Sequence, residues 1–147
     1  MNILKINKED IKNIYEIDKL NFTSDSYSFE TLTNYANNKN ILFTKLIDND
    51  IIVGFSIVLL TKPEAELLKI CIIDKLRNKS YGKILLNYNI DYLTNNKFDI
   101  FYLEVRDDNI YAIKLYEKLG FIKYNIRDNY YKNPNSNAIL YKKNLNR

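Results

Sequence analysis

Histidine is absent from this chain of 147 residues, and cysteine occurs once, at Cys71. The lack of histidine excludes Ser-His-Asp and Cys-His catalysis and most zinc chemistry. A lone cysteine excludes an intrachain disulfide and any metal site built from several cysteines. Acid–base chemistry must therefore fall to Glu, Asp, Tyr, Lys or water, and we expect no bound metal.

Long apolar stretches are also missing. No run approaches the roughly 18 apolar residues that a membrane span needs, and the N-terminal sequence MNILKINKED lacks a signal-peptide pattern. We therefore expect a cytoplasmic protein without membrane contact. The net charge is +4, with basic residues spread along the chain. This balance argues against direct nucleic-acid binding and suits an anionic cofactor or an acidic partner.

Glycine and proline are scarce, with three and two residues, whereas 46% of the chain is apolar and 27% is charged. These values are typical of one globular domain with a substantial core. No internal repeat, low-complexity tract or linker interrupts the chain. We expect a single domain over residues 1–147, as a monomer or a weak dimer.

Hydrophobic periodicity predicts the element order β-α-α-β-β-β-α-β-α-β-β. A central hairpin followed by a β-α-β unit indicates an α/β or α+β domain on a mixed sheet. The predicted strands are 3–6, 41–47, 51–60, 65–73, 98–105, 121–126 and 138–145, with a turn at 48–50. The predicted helices run from 7 to about 20, from 28, from 82 to about 95, and from 109.

Apolar spacing and capping residues define the helix faces. Asn7 and Asn109 are expected to cap helices, and Gly120 is expected at a left-handed C-terminal cap. The residues expected to set the faces of the first helix are Ile11, Ile14, Tyr15 and Asp18; the second helix is expected to bury Phe29, Leu32, Tyr35 and Ala36; the third carries Ile84, Leu85, Tyr88, Tyr92 and Leu93; and the fourth carries Ala112, Leu115, Tyr116 and Leu119.

The segment RNKSYGK (77–83) leads into the third predicted helix. A helix N-terminus presents free N–H groups and a partial positive charge, which together favour an anion. Taken alone, the segment is better interpreted as a solvated basic turn capped by Ser80. It lacks the glycine patterns that hold nucleoside triphosphates or dinucleotides.

Glu104 interrupts a strand that otherwise reads as buried, where a carboxylate is costly without a partner or a task. It fits either an ion pair with Arg106 or a lysine, or a general base. Tyr116 lies on the apolar face of its helix, so packing in the core is its simplest role.

Together these segments resemble the GCN5-related N-acetyltransferase (GNAT) superfamily. EAELLKICI (64–72), RNKSYGK and the following helix match its acetyl-CoA signature Q/R-x-x-G-x-G/A, with Ser80 in place of the first glycine. LEVRDDNIYAIKLYEKLGF (103–121) and IRDNYYKNPNSNAIL (126–140) resemble the RimI-type ribosomal-protein-alanine N-acetyltransferases. The resemblance implies the GNAT fold, an α/β (α+β) domain with a mixed, mostly antiparallel central sheet flanked by helices. It also implies acetyl transfer from acetyl-CoA to a protein N-terminal amine.

The resemblance also implies a role for each matching residue. Glu104 would be the general base and Tyr116 the general acid, and the tandem Tyr130-Tyr131 would belong to the substrate groove or pack a hairpin. Backbone N–H groups of the strand end would polarise the thioester carbonyl, so Cys71 would contribute its backbone only. The cofactor-binding residues implied are Ile70, Cys71, Ile72, Asn78, Lys79, Ser80, Tyr81, Gly82, Lys83 and Asn109.

Two departures concern the acceptor. Ser26-Tyr27 stands where the family has Pro-Trp, and Ser136-Asn137 stands where it has Glu-Asp. By resemblance, the substrate is the N-terminal alanine of a small-subunit ribosomal protein. Acetylation of a small amine such as a polyamine or an aminoglycoside is the alternative within enzymes. A non-catalytic module that binds coenzyme A or a partner is the alternative outside them.

Overall fold

The computed structural model describes residues 1–22, 24–77, 79–132 and 134–146. Within these ranges the chain forms seven β-strands, four α-helices and two short 3-10 turns, at Lys8–Asp10 and Asp74–Leu76. In chain order the strands and helices are β1 (Asn2–Lys5), α1 (Ile11–Asn21), α2 (Phe29–Ala36), β2 (Ile41–Asp48), β3 (Ile51–Thr61), β4 (Glu64–Ile72), α3 (Tyr81–Asn95), β5 (Ile100–Arg106), α4 (Ile110–Lys118), β6 (Ile122–Tyr131) and β7 (Ser136–Asn144).

The strands follow the hydrogen-bonded order β1-β2-β3-β4-β5-β7-β6. The β4–β5 pair is parallel, whereas β1–β2, β2–β3, β5–β7 and β6–β7 are antiparallel. Parallel neighbours need a crossover connection, and α3 supplies it. The predicted fold class, an α/β (α+β) domain with a mixed, mostly antiparallel sheet and flanking helices, is confirmed.

By their contacts the residues group into two compact units. The first unit comprises residues 1–60 and 68–89, and the second comprises residues 61–67 and those from 90 onward. The expectation of a single domain over residues 1–147 stays a prediction. Among the described helices, none combines the length and the apolar character that crossing a membrane requires.

The helix predicted to begin at Asn7 is instead a 3-10 turn, Lys8–Asp10, followed in the first unit by helix α1, which begins at Ile11. The Asn7 side chain accepts a hydrogen bond from the Glu9 N–H, and Asp10 accepts one from the Asn7 N–H. This reciprocal arrangement is a capping box. On the inner face Ile11 and Ile14 are buried, and so is Asp18, which is wholly inaccessible.

Helix α2 follows its predicted start, because Ser28 accepts a hydrogen bond from the Thr31 N–H at 3.0 Å. Leu32 is wholly buried, whereas Phe29 is 50% exposed. The expectation that Phe29 is buried is therefore wrong. As the first helical residue, Phe29 lies at the end of the element, where its ring contacts the edge of Tyr15 with centroids 5.9 Å apart.

The β2–β3 hairpin closes through Asn49 and Asp50, whose φ angles are 51° and 63°. Two consecutive positive φ values fit a type I′ turn, which Asn and Asp tolerate better than most residues. The predicted hairpin and its turn are confirmed. Within β3, Gly54 lies close against β4, where an added Cβ would lie 2.7 Å from the Cys71 carbonyl oxygen.

Helix α3 begins one residue before its predicted start, and its inner face differs from the predicted one. Leu85, Leu86, Asn89 and Leu93 are buried, whereas Ile84 is 37% exposed. Sequence spacing missed Asn89 because a buried amide is indistinguishable from a surface one in a hydrophobicity pattern. In the structure its amide donates a 3.0 Å hydrogen bond to the Ser56 hydroxyl, which offsets the cost of burial.

The second unit packs α4 with β5, β6 and β7. Asn109 caps α4 by accepting from the Ala112 N–H at 3.1 Å, and Gly120 follows the helix with φ 93°, so both predicted caps are confirmed. Strand β6 runs to Tyr131, five residues beyond its predicted end. Irregularities in its pairing with β7 and exposure along its length remove the alternating pattern that would have revealed it.

Candidate active site

The loop before α3 contains Ser80, which stands where the acetyl-CoA signature has its first glycine. Ser80 has φ 66°, in the left-handed region that glycine enters freely and other residues rarely adopt. Its carbonyl accepts the first helical hydrogen bond, from the Ile84 N–H at 3.0 Å. The Ser80 backbone therefore takes a conformation that a glycine would favour, at a cost of about 1–2 kcal/mol.

The remaining loop residues carry positive charge toward the same helix end. Lys79 is exposed, Lys83 is half-buried, and Gly82 is the second residue of α3. Asn78, also predicted to bind the cofactor, lies outside the described residues. Arg77 is held within the first unit, where its guanidinium lies 3.1 Å from Asp74 and 2.5 Å from the Asn21 side-chain oxygen.

Tyr81 anchors the start of α3. Its hydroxyl donates to Asp48 at the end of β2 over 2.6 Å, and this hydrogen bond, assisted by burial and the Asp48 charge, raises the pKa of the phenol. Its ring packs with Ile70 and Ile72 against the cluster formed by Leu46, Val53 and Leu85. The structure thus brings the predicted cofactor strand and the start of α3 onto one apolar cluster.

The end of β4 supplies Ile70, Cys71 and Ile72. The parallel ladder between β4 and β5 ends with the pair Leu67 and Leu103, so these three residues follow its last pair. Cys71 is buried, and burial raises the pKa of its thiol to about 12. At neutral pH the thiol is protonated and a poor nucleophile. This supports a backbone role for Cys71 and argues against an acyl-cysteine intermediate.

Glu104 lies on the less buried face of β5, because alternate residues of this strand point to the core. Its side chain is 23% exposed, and its carboxylate lies 3.4 Å from the guanidinium of Arg127 on β6. Arg106, the ion-pair partner that the sequence suggested, instead pairs with Asp108 at 3.3 Å. The expectation of an ion pair with Arg106 or a lysine is therefore wrong in its partner.

A cavity of about 340 Å³ in the second unit surrounds Glu104. Three glutamates and one arginine give it a net negative lining. Burial raises the pKa of Glu66, the Glu104 carboxylate raises it further, and the Arg127 guanidinium lowers it. The cavity is therefore suited to a cation. Its lining residues are Thr61, Glu64, Ala65, Glu66, Tyr102, Leu103, Glu104, Tyr124, Arg127 and Leu140.

Tyr116 on α4 is 5% exposed and packs its ring against Phe121 and Tyr141, with centroids 5.9 and 6.5 Å apart. This confirms its interpretation as a core residue. Burial, with a smaller contribution from Tyr131, raises the pKa of its hydroxyl well above the ordinary value. The hydroxyl is therefore protonated at neutral pH and able to donate.

Tyr130 and Tyr131, at the end of β6, contact each other edge to face with centroids 5.1 Å apart. Arg127 lies 5.2 Å from the Tyr130 ring centroid, and Arg106 lies 5.0 Å from that of Tyr131. Tyr130 is 47% exposed and available for contact. Arg127 thus connects the predicted base with the predicted substrate-groove tyrosines, whereas Asn109 engages its side-chain oxygen in the α4 cap.

Two residues of this arrangement, Arg127 and Glu66, escaped the sequence-based list of site residues. Arg127 is the second residue of the IRDNYY segment (126–131), and its distance along the chain from Glu104 concealed their contact. Glu66 could have been found from alternation, since it occupies the same face of β4 as Glu64. Among the residues that the structure describes, no group of three or more His, Cys, Asp or Glu side chains is placed to hold a metal ion.

Comparison with known proteins gives a consistent result. The sequence model of the acetyltransferase (GNAT) family matches residues 8–121. The chain is 37% identical over 141 residues to the [ribosomal protein bS18]-alanine N-acetyltransferase of Haemophilus influenzae, covering 94% of both chains. It is 31% identical over 136 residues to the protein of that name from Haemophilus ducreyi, covering 90% of this chain and 92% of the other.

A solved structure shows the same similarity in three dimensions. The ribosomal-protein-S18-alanine N-acetyltransferase of Escherichia coli superimposes with a TM-score of 0.90 at 28% sequence identity. The match covers 98% of this chain and 93% of that chain. The strand order and helix positions described above are therefore those of that enzyme's fold.

Proposed function

Because this chain belongs to the acetyltransferase (GNAT) family, we propose that it transfers an acetyl group from acetyl-CoA to the N-terminal alanine of ribosomal protein bS18. The observation that carries this proposal is the 37% identity to a [ribosomal protein bS18]-alanine N-acetyltransferase along 94% of both chains. A ribosomal-protein substrate would place the reaction in the cytoplasm.

The proposed cofactor site starts from residues of the first unit. The Ser80 backbone lies in the left-handed region that a glycine enters freely, and the loop around it is basic, so the residues present fit the pyrophosphate of acetyl-CoA. Lys79 to Lys83, with Asn78, would supply backbone N–H groups and positive charge. When bound, acetyl-CoA supplies the thioester whose acetyl group is transferred. Asn109 is a further proposed cofactor contact.

The proposed base is Glu104. The α-ammonium group of a peptide has a pKa of about 7.7–8.0, so its deprotonation near neutral pH requires only a modest base. Glu104 lies in a cavity that favours a cation, and it would accept the ammonium proton directly or through a water. The neutral amine would then attack the thioester carbonyl carbon, the carbon–sulfur bond would break, and the second amine proton would pass to the departing sulfur or to water. Backbone N–H groups of Ile70 to Ile72 would stabilise the negative charge on the carbonyl oxygen.

Tyr116 would donate to the departing sulfur. A thiol such as that of cysteine has a pKa of about 8.5, and burial holds the pKa of Tyr116 above this value. The phenol is therefore fully protonated at neutral pH, but complete transfer of its proton to a thiolate is uphill. Tyr116 would therefore stabilise the thiolate by donating a hydrogen bond to it while keeping its own proton.

A substrate panel tests the proposed function. The purified protein is incubated with acetyl-CoA and an alanine-initiated bS18 peptide, the same peptide with a blocked N-terminus, spermidine or an aminoglycoside. We expect release of coenzyme A with the free peptide and none above background with the blocked one. Activity with the small amines alone would replace the proposal with a small-molecule acetyltransferase.

A further inference from the structure

Glu66 and Glu104 face the same cavity from neighbouring strands. In the parallel β4–β5 ladder Glu66 is paired with Tyr102, so both point to one face, and Glu104 follows on that face two residues later. Both carboxylates line the cavity of about 340 Å³. Their proximity is also seen in the pKa of Glu66, which the Glu104 charge raises in addition to the effect of burial. A nearby cation offsets the repulsion between two carboxylates that share a site.

Arg127 is the cation that the protein itself supplies. Its guanidinium lies 3.4 Å from Glu104, lines the same cavity and lowers the pKa of Glu66. The Tyr130 ring supports it from 5.2 Å away. The Arg127 side chain is nevertheless 51% exposed, and an ion pair that open to water is weak and readily exchanged.

We propose that Arg127 is a positioning residue that holds Glu104 in the empty cavity and yields to the substrate, whose ammonium group is then received jointly by Glu66 and Glu104. This inference rests on the proposed function and deepens it. The exchange replaces one cation with another, so the carboxylates remain paired throughout. Glu66 keeps its charge beside the amine while Glu104 takes the proton. The cavity thereby selects amines that arrive as cations.

Three variants test the inference: Glu66→Gln, Arg127→Gln and Arg127→Lys. The dissociation constant of an alanine-initiated bS18 peptide is measured by calorimetry, and KM and kcat are measured with acetyl-CoA. Glu66→Gln should weaken binding and raise KM about tenfold while changing kcat less than about twofold, because the proposed base and acid remain. Arg127→Lys should keep the dissociation constant, KM and kcat within about twofold of the wild type.

Arg127→Gln is the decisive variant. Removing the competing cation should tighten peptide binding and lower KM about threefold, the size of effect expected of an exposed ion pair. kcat should stay within about twofold of the wild type, because in the substrate complex Arg127 has already yielded its place to the ammonium group. A merely structural role would weaken binding in both Gln variants, so opposite changes distinguish the two. Glu16→Gln, an exposed change on α1, is the matched control and should leave all constants unchanged.

Weaker binding in Arg127→Gln, or unchanged binding in Glu66→Gln, would overturn the inference. Because binding is measured without turnover, the inference and the proposed function can fail separately. A wild-type protein that binds the peptide but does not acetylate it contradicts the proposed function, and the variant affinities still decide the inference. A wild-type protein that binds no alanine-initiated peptide contradicts both.

Discussion

Single residues determine the proposed chemistry, and Glu104 is the most consequential of them. A carboxylate on the less buried face of a strand is ordinary by alternation, which is why the sequence alone left both an ion pair and a general base open. The structure places a second carboxylate, that of Glu66, and the guanidinium of Arg127 in the same cavity as Glu104. An ion pair in a cavity suited to cations is compatible with both interpretations, because the pair can exchange its cation.

Replacing Glu104 by Gln removes the proposed base and keeps the size of the side chain. We expect most of the acetylation rate to be lost at neutral pH and part of it to return as the pH rises through about 8, where the α-amine deprotonates without assistance. The measurement is kcat/KM against pH for the wild type and the variant. A Glu104→Gln profile parallel to that of the wild type would contradict the assignment of the base.

Ser80 provides a second prediction for a single residue. A glycine at position 80 should adopt the φ of 66° at least as readily as serine does, whereas a β-branched residue is strongly disfavoured at this φ. Ser80→Gly should therefore bind coenzyme A as tightly as the wild type or more tightly, and Ser80→Val should bind about tenfold more weakly. Calorimetric titration with coenzyme A gives both values, and circular dichroism confirms that each variant is folded. Equal affinities for the two variants would show that the loop shape does not control binding.

Among the secondary-structure elements, the connection between α1 and α2 shows an arrangement that sequence patterns could not predict. Asp18 of α1 is wholly buried, accepts the Tyr27 N–H at 2.7 Å, and pairs with Lys69 of β4 at 2.6 Å. Lys69 also donates to the Asp25 carbonyl and lies 4.2 Å from the Phe22 ring centroid. One buried ion pair thus fastens the segment between the two helices to the sheet.

Breaking this ion pair on one side should be costly. Asp18→Asn leaves the Lys69 charge buried without its counter-ion, and we expect a loss of about 3–5 kcal/mol in the free energy of unfolding, measured by urea denaturation. The double variant Asp18→Asn, Lys69→Met should lose less than the two single losses added together, because no unpaired charge remains. Additive losses would show that the two residues act independently.

Helices and strands whose apolar residues recur at a regular spacing were predictable from the sequence, and those without such a spacing were not. Most of helix α1, helix α4 with its Asn109 cap, the β2–β3 hairpin and β4 follow from helical spacing, alternation and capping residues. The sequence did not reveal the buried Asn89, the exposed Phe29 or the extra length of β6. In each case tertiary packing or irregular pairing decided the outcome. The same limit applies to the site, where the partner of Glu104 is distant in sequence.

For the whole molecule, the net charge of +4 and the fold both suit an anionic cosubstrate. A ligand that binds only the folded state at a hundred times its dissociation constant stabilises it by about 2.7 kcal/mol. For a chain of this length, saturating acetyl-CoA should raise the melting temperature by roughly 5–10 °C. Differential scanning fluorimetry measures the shift. No shift with acetyl-CoA or coenzyme A would favour a role without this cofactor.

The central claim is that the acetyl group goes to the N-terminal α-amine of alanine. The most direct test is tandem mass spectrometry of an alanine-initiated bS18 peptide that also contains lysine, after incubation with this protein and acetyl-CoA. We predict one acetyl group, located on the α-nitrogen of the first residue and formed much more slowly with Glu104→Gln at neutral pH. Acetylation confined to lysine side chains, or none, would contradict the claim.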